Sequence, residues 1–104
     1  MNQLTEHQCE VCRRAVDHFG RRAQLFKVAE ELRELADECE AAANGGGSMD
    51  ALALERADVH IVSYQLDELL LPSLAAHVPA KIASQIARLE RRMDGKNTAR
   101  SVRG

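Results

Sequence analysis

The sequence predicts an all-α fold, a helical bundle of about four helices, and three observations lead there. Ala and Leu dominate the apolar residues, and aromatics are few: Phe19, Phe26 and Tyr64, with no Trp. Apolar positions recur at helical spacing over long stretches, as in Leu25, Val28, Ala29, Leu32, Leu35, Ala36 and Cys39. Gly and Pro gather at a few points and cut the chain into segments. At 104 residues the chain fits one domain with a small core.

The first helix is expected from Thr5 to about Phe19, with Thr5 as N-cap. Gly20 breaks or kinks it, and a second helix follows from about Arg21 to Ala43. Its apolar stripe is the Leu25 to Cys39 set, with Glu31 and Glu34 flanking it. Asn44-Gly45-Gly46-Gly47-Ser48 is a strong stop, and Ser48 or Asp50 can cap the next helix. That third helix is expected over about Asp50 to Leu71, ended or bent by Pro72. Leu74 to Val78 reads as a turn or short continuation. Pro79 suits the first position of a fourth helix carrying Ile82, Ile86, Leu89 and Met93. From Asp94 the chain is polar without apolar periodicity. The predicted organisation is therefore one helical domain over 1–93 and a flexible tail over 94–104.

Charge and cysteine usage narrow the function classes. A net charge of −2 argues against a surface built to wrap nucleic acid. The tail cations Lys96, Arg100 and Arg103 read as solvated, and no recognition helix stands out. No apolar run approaches membrane-spanning length and no export signal is visible, so no membrane partner and a cytoplasmic location are expected. Cys9, Cys12 and Cys39 are an odd number of cysteines, which fits reduced thiols. Cys9-x-x-Cys12 with His7 and His18 lacks the second ligand pair of a structural zinc site, and reads as surface or core thiols.

Two acid pairs carry the chemistry. Glu31-x-x-Glu34 lies on the second helix and Glu55-x-x-Asp58 on the third, and residues three apart share a helical face. The short Gly-rich loop makes the two helices antiparallel neighbours, so the four carboxylates face one another. Glu30, Asp37, Glu38 and Glu40 read as an ordinary solvated face. The third helix is different. Its most apolar face runs Ala51, Glu55, Asp58, Val62, Leu66, Leu69, while Arg56, His60, Ser63 and Asp67 already supply a solvated face. Carboxylates on a core face need a cation, basic side chains or a proton to offset their burial. Hard oxygen ligands suit Mg2+, with Mn2+ as the alternative. A buried arginine–carboxylate network is the competing reading.

The residues around these acids resemble the MazG-type all-α nucleotide pyrophosphohydrolases, in particular small phage-like members. Phe19-Gly20, Gln24-Leu25 and Lys27-Val28-Ala29-Glu30-Glu31-Leu32 match the approach to the first acid pair. Ala57-Asp58-Val59 with Val62 and Gln65-Leu66 matches the second acid helix, and Ile86-Ala87-Arg88-Leu89-Glu90-Arg91-Arg92-Met93 the last one. The match covers about Phe19 to Met93.

The resemblance implies a helical-bundle subunit completed by oligomerisation, as a homodimer or homotetramer. It also implies Mg2+-dependent cleavage of a nucleoside triphosphate between the α and β phosphates, giving the monophosphate and pyrophosphate, in nucleotide clean-up or pool control. Carried over, Glu31, Glu34, Glu55 and Asp58 are the metal ligands, and Glu31 or Glu34 orients or deprotonates the attacking water. Phe19 stands where Trp is frequent and is a candidate for lining the base. Gln85 stands where Lys is usual, and Lys81 or Arg88 is expected to take over phosphate neutralisation, with Lys27 a further candidate. Ile61 and Tyr64 form a second apolar flank suited to a subunit interface. The alternative function is a non-catalytic helical-bundle interaction or regulatory protein with a degenerate site of this type.

Overall fold

In the computed structural model, the structure describes residues 3–103, and the side chains of residues 3–95. The described residues are helical, with no strand among them. The helices are α1 (Glu6–Phe19), α2 (Arg21–Ala43), α3 (Met49–Tyr64), which continues into a π-helical segment (Gln65–Leu70), and α4 (Leu74–Arg103). The chain divides into two compact units, one ending at Pro72 and one beginning at Ser73. That boundary falls inside the stretch the sequence assigns to one domain.

In the first unit, local chemistry sets the helix ends. Thr5 caps α1 through a reciprocal pair: Gln8 N–H donates to Thr5 Oγ1 at 3.1 Å, and Thr5 N–H donates to Gln8 Oε1 at 2.9 Å. Gly20 alone separates α1 from α2. Its φ of +91° is accessible to Gly at little cost, and its N–H still donates to the Val16 carbonyl at 2.8 Å. The loop after α2 closes with Gly46 N–H on the Ala41 carbonyl, and Ser48 Oγ accepts from Ala51 N–H to start α3.

The helix expected to run unbroken to Leu71 instead changes winding at Gln65. Gln65 and Leu70 are each 3% exposed. Five residues apart, they would lie about 140° apart on an α-helix. The wider winding, closed by Leu71 N–H on the Leu66 carbonyl at 3.0 Å, brings both inward. Arg21 Nε donates to the Leu70 carbonyl at 3.1 Å and so satisfies an acceptor at the segment's end.

The most extensive helix contact is α2 against α3. The hydrogen bond from Gln24, at the start of α2, to Gln65, just past the end of α3, makes the pair antiparallel. The core is small: Val28, Val62 and Leu70, with Val16, Leu25, Leu66 and Leu71 packed against it. The buried line of α2 is Gln24, Val28 and Glu31, continued by half-buried Leu35 and Glu38. This corrects the expected stripe. Leu32 is exposed, Glu31 occupies the middle of the inward face rather than its flank, and Glu38 is not fully solvated. On α3 and its π-helical continuation, His60, Ser63 and Asp67 are half-buried, and of the expected solvated face Arg56 is exposed.

The second unit is α4. It begins at Leu74, so Pro79 lies inside the helix and not at its first position. Pro79 is only five residues past the start, where the missing N–H removes one early backbone bond. The backbone is helical through Arg103, beyond Asp94, where the sequence predicts the tail. The side chains of Lys96, Arg100 and Arg103 lie outside the described residues. No helix among the described residues is long and apolar enough to cross a membrane.

Candidate metal and phosphate site

Inward-facing positions of α2 and α3 assemble an acidic cluster. Glu31 is 5% exposed, from the centre of the buried line of α2. One ligand oxygen each from Glu31, Glu55 and Asp58 lie within 4.8 Å of one another, and a second such group joins Glu30, Glu31 and Glu34. Glu31 belongs to both. Among the described residues these are the groups of three or more acid, His or Cys side chains spaced to hold a metal ion, and no Cys or His is in either.

Partners cover only part of the charge. Lys27 Nζ, one turn before Glu31, pairs with Glu31 Oε1 at 3.0 Å and lies 3.8 Å from Glu30 Oε1. Glu31 Oε2 and Glu55 Oε2 are buried and have no hydrogen-bond partner so long as the neighbouring carboxyls are ionised. Native structures leave few buried polar atoms in that condition. No arginine is paired with the cluster among the described ion pairs, so the arginine–carboxylate network expected as the competing reading is not what these side chains form.

Crowding favours the protonated form of two of these acids. Burial, a hydrogen bond with Glu55 and the nearby Glu31 charge push Glu34 up to about 7. Burial, together with the charge of Glu31 and a hydrogen bond with it, raises Asp58 above the usual aspartate range. A hydrogen bond between two carboxyl groups needs a proton between them, so this crowding favours the protonated form of Glu34 and Asp58. The Lys27 ammonium is held charged by its contact with Glu31.

A cleft of about 320 Å³ opens beside the cluster, lined in part by Phe19, Gln24, Lys27, Glu31, Asp58 and Gln65. Of the sequence-predicted site residues, the first unit brings together Glu31, Glu34, Glu55, Asp58 and Lys27, with Phe19 on the cleft wall. Phe19 is 62% exposed, its ring edge-on to His18 at 4.7 Å between centroids. Lys81 and Arg88 are exposed on α4, in the second unit.

Two site residues carry no predicted role: Gln24 and Gln65. Gln24 Nε2 donates to Gln65 Oε1 at 3.1 Å, and Gln65 Nε2 donates to the Cys12 carbonyl at 3.2 Å. The signal was present, since Gln24 lies four residues before Val28 and Gln65 three after Val62, both in core register. No family model matches the chain, and no curated protein and no solved structure matches it either.

Proposed function

We propose that the protein is a Mg2+-dependent nucleoside triphosphate pyrophosphohydrolase, cleaving between the α and β phosphates to give the monophosphate and pyrophosphate. The observation that carries this reading is the pair of buried, partnerless oxygens, Glu31 Oε2 and Glu55 Oε2, within a cluster that also holds Asp58. They fit a hard divalent cation: oxygen donors from several carboxylates, next to an open cleft. Glu31, Glu34, Glu55 and Asp58 would hold it, with Mn2+ as an alternative to Mg2+. When bound, such an ion neutralises polyphosphate and makes a coordinated water more acidic.

The chain's own groups supply the rest. Glu34 is suited to take a proton from the attacking water, and Glu31 orients that water. Lys27 stands on the cleft wall as a phosphate-neutralising cation. Phe19 presents an exposed ring for a base to stack on. The exposed apolar residues Leu32 and Leu54, and Ile82, Ile86, Leu89 and Met93 on α4, support assembly into a homodimer or homotetramer. The same exposed residues favour the second reading, a non-catalytic interaction protein.

The test is release of pyrophosphate from a panel of nucleoside triphosphates with Mg2+, for the wild type and for Glu55→Gln and Asp58→Asn. Release by the wild type that is lost in both variants, with helicity intact by circular dichroism, is expected. No release from any nucleotide sinks the enzyme reading and leaves the interaction protein.

A further inference from the structure

Cys9 and Cys12 lie one turn apart on α1, both reduced. Cys9 is half-buried, and the Tyr64 hydroxyl, from the last residue of α3, is within hydrogen-bond reach of its sulfur. Cys12 is 6% exposed. It lines a groove of about 370 Å³ together with His7, Val11, Ile61 and Gln65, which leaves a small molecule a route to it. The Cys12 carbonyl accepts the side-chain amide of Gln65, which in turn accepts from Gln24. Both glutamines also line the acid cleft. The backbone of the cysteine turn is therefore one hydrogen bond away from the wall of that cleft.

We infer that Cys9 and Cys12 form a reversible disulfide, made by a small hydroperoxide and undone by a thiol, whose formation shifts the Gln65–Gln24 amide pair; its effect on catalysis rests on the cleft being the working site proposed above. In a regular helix, residues three apart have Cα atoms about 5 Å apart, inside the range of roughly 4.4–6.8 Å that disulfides span. Their Cβ atoms, at roughly 5–6 Å, must close to roughly 3.5–4.5 Å. The bridge therefore forms only by tightening this turn, and the carbonyl carried with it is the one that holds Gln65.

The chemistry balances in two steps. The Cys9 thiolate attacks one oxygen of the hydroperoxide, the O–O bond breaks, and an alcohol leaves with the proton from the thiol. Cys9 is then a sulfenic acid. The Cys12 thiol attacks its sulfur, the S–O bond breaks, and water leaves with the Cys12 proton. The two thiols have lost two electrons, which the peroxide has taken. Cys9, the more exposed of the two, is the residue oxidised by the peroxide, and buried Cys12 resolves it.

The experiment uses the full chain carrying Cys39→Ser, which removes the exposed third thiol on α2. After treatment with hydrogen peroxide and alkylation, the tryptic peptide 1–13 should have lost two hydrogens in mass, and dithiothreitol should restore them. The side-chain amide NMR signals of Gln24 and Gln65 should move on oxidation and return on reduction, with no movement in Cys9→Ser. Cys12→Ala repeats the control from the buried side, and Cys9→Ser suffices if it does not fold. A sulfinic acid on Cys9 without the bridge, or a bridge that leaves both amides in place, overturns the inference. Pyrophosphate release that falls on oxidation and recovers on reduction supports the regulatory effect, and release indifferent to oxidation overturns that part. If neither form releases pyrophosphate, the proposed function fails while the peptide and amide results still decide the switch.

Discussion

Gln24 and Glu31 face the same helix interface, seven residues or about 10 Å apart along α2, and they are provided for in opposite ways. Gln24 is 7% exposed and meets Gln65, which meets the Cys12 carbonyl, so three segments of the chain are joined by neutral hydrogen bonds. Glu31 is 5% exposed, spends one oxygen on Lys27, and leaves the other buried without a partner beside an equally orphaned oxygen of Glu55. Neutral, paired amides hold helices in register. Crowded, half-satisfied carboxylates raise the energy of the cation-free fold and are retained where they bind something. The difference separates an end of the interface closed by neutral hydrogen bonds from an end left with uncompensated carboxylates.

The largest effect that would sharpen this contrast is catalytic. Glu55→Gln should lower pyrophosphate release by at least about 100-fold, since on the proposed reading it removes a direct metal ligand, which matters more than the outer-shell groups that cost 10–100-fold. The same variant should not lower stability, because it removes a crowded charge. A marked fall in its urea midpoint would mean that the acids hold the fold together, and the contrast would be lost.

Next comes the cation. Mg2+ at about 100 times its dissociation constant should stabilise the native state by about 2.7 kcal/mol. For a chain of this size that is a rise in Tm of roughly 10 °C or more by thermal denaturation. The rise should vanish in Glu55→Gln and persist in Gln65→Ala. An unchanged Tm in the wild type would count against a metal site.

The amide end should respond in the other direction. Gln65→Ala strands Gln24 and the Cys12 carbonyl and removes a buried side chain, and should cost about 2 kcal/mol in urea unfolding. A neutral result would show that the amide pair does not hold the register.

The smallest effect is in pH. Glu34 titrates near 7 in the fold against a reference of 4.5. Between those values the native state holds more protons than the unfolded one, so stability falls as pH rises. Its contribution is fully present below about 4.5 and lost through about 7, and Asp58, also raised, acts in the same sense at its own range. Without a cation, Tm should therefore drop between pH 5 and pH 8 by more in the wild type than in Glu34→Gln, as read from melting curves. Equal slopes would remove the crowding of Glu34 from the account.

Much of this was legible in the chain. The helices α1 and α2, the caps Thr5 and Ser48, and the Gly-rich break follow from local rules, because caps and glycines act within a few residues of themselves. Glu55 and Asp58 were legible as acids interrupting an apolar face. The depth of Glu31 was not. Leu25, Ala29 and Leu32 define one apolar stripe of α2, but the packed line runs through Gln24, Val28 and Glu31. Apolar residues outnumber what the small core covers, so periodicity alone could not say which stripe turns inward. The start of α4 at Leu74 was missed for a related reason. Pro79 is a strong local signal, yet an early position in a helix tolerates it.

The sequence by itself determined the all-helical class, the main breaks between helices, and the spacing that puts two acids on each of two helical faces, because each depends on neighbours within a turn or two. Tertiary structure alone decided which face of α2 is buried, the π-helical winding that turns Gln65 and Leu70 inward together, and the proximity that leaves one oxygen each of Glu31 and Glu55 without a partner. These depend on contacts between residues far apart in the chain, as from Gln24 to Gln65. No local pattern encodes the energy of such a contact.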